Sequence, residues 1–440
     1  MRIIADLHIH SPYSRAVSKE MTLENLDYWA RLKGITVMGT GDFTHPAWIK
    51  EIKAKLEPAE QGLYILKPQI TNNKLQTNSK FPASAKALAG RQVPSSPVRF
   101  LLTVEISSIY SKGGKTRRVH NLIFVPSIET AEKINAALGW QGNLKSDGRP
   151  ILGLGAKELA KIVLDIDSRC MIVCAHAYTP WFSIFGSMSG FDSVEECFDE
   201  YAKYIYAIES GLSSSPAMSW RNSKLDKIAI ISNSDSHSLQ RIGRESNVFD
   251  TELSYGGIVD AIKSHDPQKF LFTIEFYPEE GKYHYDGHRL CKFSCVPEKT
   301  RQLNKLCPSC GKPLTVGVEY RVEELADRPV GFTPALAIPY KSLVPLDEII
   351  AESFGMGVST KKVKEEYQGM VEKIGSEFAV LVDAPLSELE KATSSEVVEG
   401  IERVREGRLH IEPGYDGEYG KVKIFEEGET KQVSKQNSLF

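Results

Sequence analysis

His8 and His10 stand two residues apart at the end of a short apolar run, a spacing that lets two imidazoles grip one cation. Side chains two apart in an extended segment share a face, and imidazole nitrogen is a common donor to divalent metals. The pattern returns as Asp235-x-His237, and between the two lie Asp42 with His45, Glu105, His120 and His176. Six of the chain's ten histidines fall in this series. One histidine beside a strand is usually a satisfied polar group; an ordered series is harder to explain without metal. Mixed nitrogen and carboxylate donors suit zinc, manganese or iron, and a carboxylate such as Glu105 can bridge two ions. Closely spaced ions clamp the attacking and leaving oxygens of a phosphate displacement and acidify a bound water. The series predicts phosphoester hydrolysis with at least two divalent ions (Zn, Mn or Mg).

Such donors need a scaffold that gathers strand ends. Residues 3–7, 35–39, 99–107, 119–125, 171–175, 205–208 and 228–232 read as strands. Helix-like segments alternate with them at 22–33, 46–56, 128–138 and 156–164, the first opened by Thr22 and followed by Gly34. That alternation predicts an α/β fold with a mostly parallel sheet, open or closed into a barrel. In a barrel the strand ends converge on one rim, where catalytic residues gather. His120 stands at the start of its strand rather than its end, but a hairpin closed at Gly113-Gly114 would set residues 105–108 opposite 119–122 and bring Glu105 beside it. Residues 58–98, rich in Pro, Asn, Ser and Lys, read as an insertion.

The segments LHIHS (7–11), GTGDFTH (39–45), VEIS (104–107), VHNL (119–122), AHA (175–177) and SDSH (234–237) resemble the polymerase-and-histidinol-phosphatase (PHP) family of metal-dependent phosphoesterases. The resemblance covers about residues 1–240 and implies a distorted βα barrel with a cluster of up to three metals. It implies that His8, His10, Glu105 and Asp235 hold one ion, and that Glu105, His120 and His176 hold a second. It assigns the third to Asp42 with His237, and to His45. Two positions depart from the family pattern: Arg15 stands near where a ligand usually lies, and Phe43 follows Asp42 where a histidine is usual. On this reading His8, His10, Glu105, His176 and Asp235 carry the catalysis.

Cys291, Cys295, Cys307 and Cys310 form two cysteine pairs, the pattern of a closed structural zinc site. Seven Lys or Arg against two acids between 281 and 316 suit phosphate contact. Helices are predicted at 346–353, 361–374, 385–392 and 395–405. The organisation is then a barrel over 1–284, a zinc module over 285–316, a helical domain over 317–427 and a flexible tail over 428–440. That order of parts resembles a branch of the PHP family, found mainly in archaea, whose members cut DNA. The cut lies 5′ to a deaminated base (hypoxanthine, uracil or xanthine) or an abasic site, which implies a DNA repair endonuclease. Lys115, Arg117 and Arg118 beside the metal hairpin are candidates for the DNA backbone. Tyr178, Trp181, Phe182 and Phe185, in the aromatic and glycine-rich segment after His176, are candidates for stacking against an extruded base.

The net charge of −3 confines any nucleic-acid affinity to local basic surface. An odd number of cysteines argues against a disulfide framework, and Cys170, Cys174 and Cys197 read as buried thiols. The absence of a long apolar stretch and of signal-peptide features predicts a cytoplasmic protein. The tail Gln436-Asn-Ser-Leu439-Phe440 resembles the start of a sliding-clamp-binding motif. Two other functions compete. A small-molecule phosphatase of the histidinol-phosphate type would leave the cysteine module and helical domain without purpose; a non-cutting DNA-binding scaffold would leave the ligand series so.

Overall fold

The computed structural model describes residues 1–70 and 96–426. Most of the 58–98 insertion and the clamp-like tail lie outside the described residues. The first part of the insertion is a small hairpin, β3 (Leu56–Pro58) with β4 (Tyr64–Leu66).

One long sheet dominates. Its strands are β1 (Arg2–Asp6), β2 (Val37–Gly39), β5 (Arg99–Lys112), β6 (Lys115–Val125), β8 (Met171–Cys174), β9 (Ala207–Glu209), β10 (Ala229–Ile231), β11 (Ser246–Asp250), β12 (Phe270–Glu275) and β15 (Tyr340–Ser342). Short β7 (Ile151–Leu152) pairs with β5 off the main path. The spatial order is β10-β9-β8-β6-β5-β2-β1-β11-β12-β15. β1, β2 and β5 run parallel, as do β8, β9 and β10. The β5–β6 hairpin and β11 introduce antiparallel pairs, so the sheet is more mixed than the sequence alternation predicts.

The sheet curls until β10 meets β1 and β11. Asn233 Oδ1 accepts from Leu7 N (2.8 Å), and Asn247 Nδ2 donates to both Ser232 O and Ala5 O. Beyond the strand ends Ile9 bridges to Ser236. This side-chain seam is the distorted part of the barrel. Both faces are buried, which is why the strands read as nearly continuous apolar runs. Ile3, Leu7, Leu101, Leu122, Phe124, Val173 and Ile231 fill the interior, whereas Ile4, Met38, Phe100 and Leu102 pack on the helical layer. Glu105 is an even number of residues from Leu101, and His120 from Leu122 and Phe124, so both belong to the interior face.

The helix Leu23–Lys33 starts at Thr22, whose side chain accepts from Asn25 N, and stops at left-handed Gly34, as its sequence predicts. After β12 the chain forms the two-stranded module of β13 (Asp286–His288) and β14 (Phe293–Cys295). The helices Leu346–Ser353, Lys361–Ile374, Leu386–Ala392 and Ser395–Glu406 follow at nearly the predicted places. β15, in the segment read as a helical domain, joins the barrel sheet beside β12. No helix among the described residues is long and apolar enough to cross a membrane.

Candidate metal centre

The Gly113-Gly114 turn closes the hairpin with both residues at positive φ, pairing Ser107 with His120 and Glu105 with Leu122. Glu105 and His120 thereby become diagonal neighbours, with Nδ1 2.7 Å from Oε1. The remaining donors leave the ends of the parallel strands: His8 and His10 after β1, Asp42 after β2, His176 after β8, Asp235 and His237 after β10. Asp42, His176 and Asp235 all hold left-handed backbone. That conformation is uncommon outside glycine and turns the chain sharply enough to aim each side chain inward. Gly41 also has positive φ, and a Cβ there would lie 2.2 Å from Ile9 O, so the GTGD segment rests directly on the His-x-His backbone.

Two groups of donors result, each with its ligand atoms within 4.8 Å of one another: His8, His10, Glu105 and Asp235, and Glu105, His120 and His176. Glu105 belongs to both and divides its oxygens between them. Oε1 faces His120 (2.7 Å) and His176 (3.0 Å); Oε2 faces His10 (3.4 Å) and His8 (3.6 Å). Asp235 Oδ1 completes the first group, 3.0 Å from His10 and 3.5 Å from His8.

The fit to metal is visible in one orphan. His8 Nε2 is buried, points into the first group and has no hydrogen-bond partner. A buried polar atom left unpaired is costly, so such an atom at the focus of two carboxylates and a second imidazole suits a cation. The electrostatics agree. Burial disfavours charge on His8, yet the carboxylates of Glu209, Asp235 and Glu105 outweigh it and push the imidazole well above its usual range. His10 behaves likewise under Asp42, Asp235 and Glu105. Burial would raise Glu105, but the charges of His120, Arg149 and His8 hold it well below the carboxylate range. Burial lowers His120 to about 4, against the pull of Glu105. The carboxylates demand cationic charge at this place; protons on imidazole can supply it, and divalent ions would displace them.

Asp42, His45 and His237 fall in neither group. Asp42 is committed: Oδ1 lies 3.1 Å from His10 Nδ1, and Oδ2 accepts from Ser11 N (2.6 Å) and Ser14 Oγ (2.9 Å). It orients a ligand. His45 stacks on Tyr13 with ring centroids 4.5 Å apart, and His237 Nδ1 turns to its neighbour's carbonyl, Asp235 O, at 2.9 Å. The third ion's predicted ligands are therefore not drawn together.

Two residues around this cage escaped the sequence reading. Glu209 ends β9, and both its oxygens lie 3.1 Å from His8 Nδ1. It also accepts from Asn233 Nδ2 and from His176 N, so one acid ties two ligand-bearing segments. A glutamate closing a strand was the signal that singled out Glu105, and it was available here as well. Arg149, in the loop before β7, sets Nη1 3.0 Å from Glu105 Oε2; nothing in its sequence context marks it.

In the cysteine module the clustered donors are His288, Cys291, Cys307 and Cys310. Cys295 stands apart, with its Sγ 3.2 Å from Thr300 Oγ1. Three of the four predicted cysteines thus meet with His288 in one donor group, and Cys295 lies outside that group. His288-x2-Cys291 repeats the two-residue gap of Cys307-x2-Cys310, and each gap lets one tight turn present two donors to a tetrahedral ion. Part of the module's basic excess is spent internally, since Arg301 pairs with Glu323 and Lys305 with Glu324. Cys170, Cys174 and Cys197 are buried and free.

The substrate-facing candidates divide. Tyr178 and Phe185 are fully buried against each other and belong to the core. Trp181 and Phe182 are half-buried on the same loop. Phe182 has φ 61° and its ring centroid is 4.8 Å from that of His120, at the edge of the metal cage. Arg321 fastens the loop from behind by donating to Phe185 O and Phe191 O. Arg117 is buried, stacked 4.0 Å over Phe191 and bonded to Gly190 O and Glu196, so it braces this loop. Lys115 is exposed, and Arg118 lies 6.0 Å over the Phe182 ring.

A curled α/β sheet that gathers imidazoles and carboxylates at one rim, with one glutamate shared between two donor groups, defines a metal-dependent phosphoesterase of the PHP class. Comparison with known proteins narrows this. Residues 345–408 match the family model of the MJ0043 C-terminal domain. The chain is 34% identical over 253 residues to the uncharacterized protein MJ0043 of Methanocaldococcus jannaschii, covering 56% of the chain but only 31% of that relative's length. It is 28% identical over 433 residues to the uncharacterized protein YqxK of Bacillus subtilis, covering 96% and 99% of the two chains. The crystal structure of PfuEndoQ, a lesion-specific endonuclease from Pyrococcus furiosus, superposes with a TM-score of 0.81 at 30% identity over the full length of both chains. An endonuclease Q complex with a 27-mer duplex carrying an abasic lesion at its active site gives 0.80 at 32% identity, covering 97% and 98%. The chain belongs to the endonuclease Q family of metal-dependent DNA endonucleases.

Proposed function

We propose that this chain acts in DNA repair, hydrolysing the phosphodiester 5′ to a deaminated base (hypoxanthine, uracil or xanthine) or an abasic site. The observation that carries the reading is the division of Glu105 between two donor groups at one barrel rim. His8, His10, Glu105 and Asp235 would hold one divalent ion, and Glu105, His120 and His176 a second. Ions so held would supply Lewis acidity at the scissile phosphate and an acidified water. The protein's own part is positioning. Glu209 and Asp42 fix the imidazoles of His8 and His10 through their Nδ1 atoms, leaving each Nε2 for the centre. Burial of Glu105 shields it from bulk water and strengthens its hold on cations.

Whole-length likeness to a lesion-specific endonuclease, and to a relative bound to abasic-site duplex, supports a damaged-DNA substrate. Phe182 and Trp181 would stack on or wedge beside an extruded nucleotide, with Arg118 and Lys115 on the backbone; the half-burial of both aromatics and the nearness of Phe182 to His120 support this. The module would hold one structural zinc. A gel assay with Mn²⁺ on plain, uracil-, hypoxanthine- and abasic-site duplexes tests the reading. Nicking confined to the lesion duplexes, abolished by Asp235→Asn, is expected. Cleavage of plain DNA at the same rate, or phosphate release from a small ester without DNA cutting, would overturn it. Phe182→Ala is expected to lower lesion preference while leaving Mn²⁺ binding intact.

A further inference from the structure

Arg149 enters the cage from the loop that joins the helix Ile128–Leu138 to β7. Its Nη1 reaches Glu105 Oε2 at 3.0 Å, the same oxygen that faces His8 and His10. Its side chain is 29% exposed whereas that of Glu105 is completely buried, so the guanidinium lines the open side of the cage. Glu105 first, and Asp235 as well, reinforce its charge.

The loop is built to hold it there. Gly148 lies so close to the cage that a Cβ would fall 2.3 Å from Asp42 Oδ2 and 2.4 Å from Ser14 Oγ. Gly148 N donates to Tyr13 O, and Arg149 N donates to Asp147 Oδ1. Pro150 O accepts from Ser107 N, whose side chain in turn touches His120 Nε2. The backbone after Arg149 is thus tied to Ser107, which touches His120, and the backbone before it packs against Asp42, which touches His10. Asp147 also pairs with Arg15 at 3.3 Å, a second guanidinium whose side chain is 76% exposed.

A bridging carboxylate that already serves two cations has little use for a third. A rigid, part-exposed guanidinium at that position has donors to spare for an anion arriving from solvent. We infer that Arg149 is a phosphate-clamping residue: its guanidinium takes a non-bridging oxygen of the scissile phosphate and offsets the negative charge that grows there in the transition state. The inference rests on the phosphodiester hydrolysis proposed above, but its test separates the two.

The full-length chain and its Arg149→Gln and Arg149→Lys variants are compared by calorimetric titration with Mn²⁺, then with inorganic phosphate on the Mn²⁺-loaded protein. kcat and KM are measured on a duplex with an abasic-site analogue. Arg149→Gln is expected to bind Mn²⁺ at least as tightly as wild type, to weaken phosphate by about tenfold and to lower kcat by about a hundredfold, with little change in KM. Arg149→Lys should recover part of both losses. A tenfold loss of Mn²⁺ affinity would make Arg149 a prop of the metal cage and overturn the inference, as would unchanged phosphate affinity. If Arg149→Gln cuts the duplex normally, the inference falls and the proposed function stands. If wild type binds phosphate through Arg149 yet cuts no DNA, the proposed function falls and takes the transition-state role of Arg149 with it, leaving only a phosphate contact.

Discussion

Glu209 makes no contact with either donor group's centre, yet replacing it by Gln should cripple metal binding. Its two oxygens accept only: from His8 Nδ1, from Asn233 Nδ2 and from the backbone N–H of His176. A glutamine in the same place must turn an NH2 group toward one of these donors. If it faces Asn233 and His8, the imidazole loses its anchor; if it faces His176 N, the segment carrying a ligand of the second group does. Either way a buried donor opposes a donor, at a cost of about 1–3 kcal/mol. Loss of the carboxylate charge beside His8 also makes Nε2 a poorer donor. Such outer partners typically govern about 10–100-fold in metal affinity, which corresponds to about 1.4–2.8 kcal/mol. Calorimetric Mn²⁺ titration of wild type and Glu209→Gln, with circular dichroism to confirm the fold, reads the effect directly. Wild-type Mn²⁺ affinity and wild-type nicking in a folded Glu209→Gln variant would refute the reasoning.

Arg117→Ala should lower stability by about 1–3 kcal/mol through loss of its buried hydrogen bonds and its stack on Phe191, seen as a lower melting temperature. Lys115→Ala should leave stability alone and reduce the salt dependence of DNA binding by about one phosphate contact. Cys295→Ser is expected to retain zinc, and Cys307→Ser to lose it, in a metal-release assay; loss from both would return Cys295 to the ligand set. Burial raises Glu275 to about 8, with the Glu209 charge adding to the rise and hydrogen bonds from Thr273, Ser210 and Ser232 opposing it. A carboxyl whose folded pKa lies above its unfolded value stabilises fully below about 4.5, and that stability is lost as pH rises toward 8. The melting temperature should therefore fall between pH 5 and pH 8, and Glu275→Gln should flatten the decline.

The ligand series was legible because strand ends carry it. An apolar run followed by His-x-His or Asp-x-His needs no tertiary knowledge to be noticed, and Gly113-Gly114 was enough to place Glu105 beside His120. What stayed hidden depended on contacts between distant segments. Asp42 has the chemistry of a ligand, and only the approach of His10, Ser11 and Ser14 shows that its oxygens are already engaged. Arg149 is an ordinary arginine in a loop until the fold sets it against Glu105. Arg117 and Arg118 are adjacent and alike in sequence, yet strand alternation buries the first beneath Phe191 and leaves the second over Phe182. Tyr178 and Phe185 went the same way as Arg117, into the core. The mixing was underestimated because β11 (SNVFD) and β15 (YKS) are short and partly polar, and because the antiparallel pairing of β11 with β1, and the pairing of its neighbour β12 with β15, join segments far apart in the chain.

Soaking crystals in Mn²⁺ and mapping its anomalous scattering measures the centre most directly. Two peaks roughly 3.5–4 Å apart, one on each side of the Glu105 carboxylate, are the predicted result. A single peak distant from Glu105, or ions held by residues other than these histidines and acids, would contradict the two-group centre.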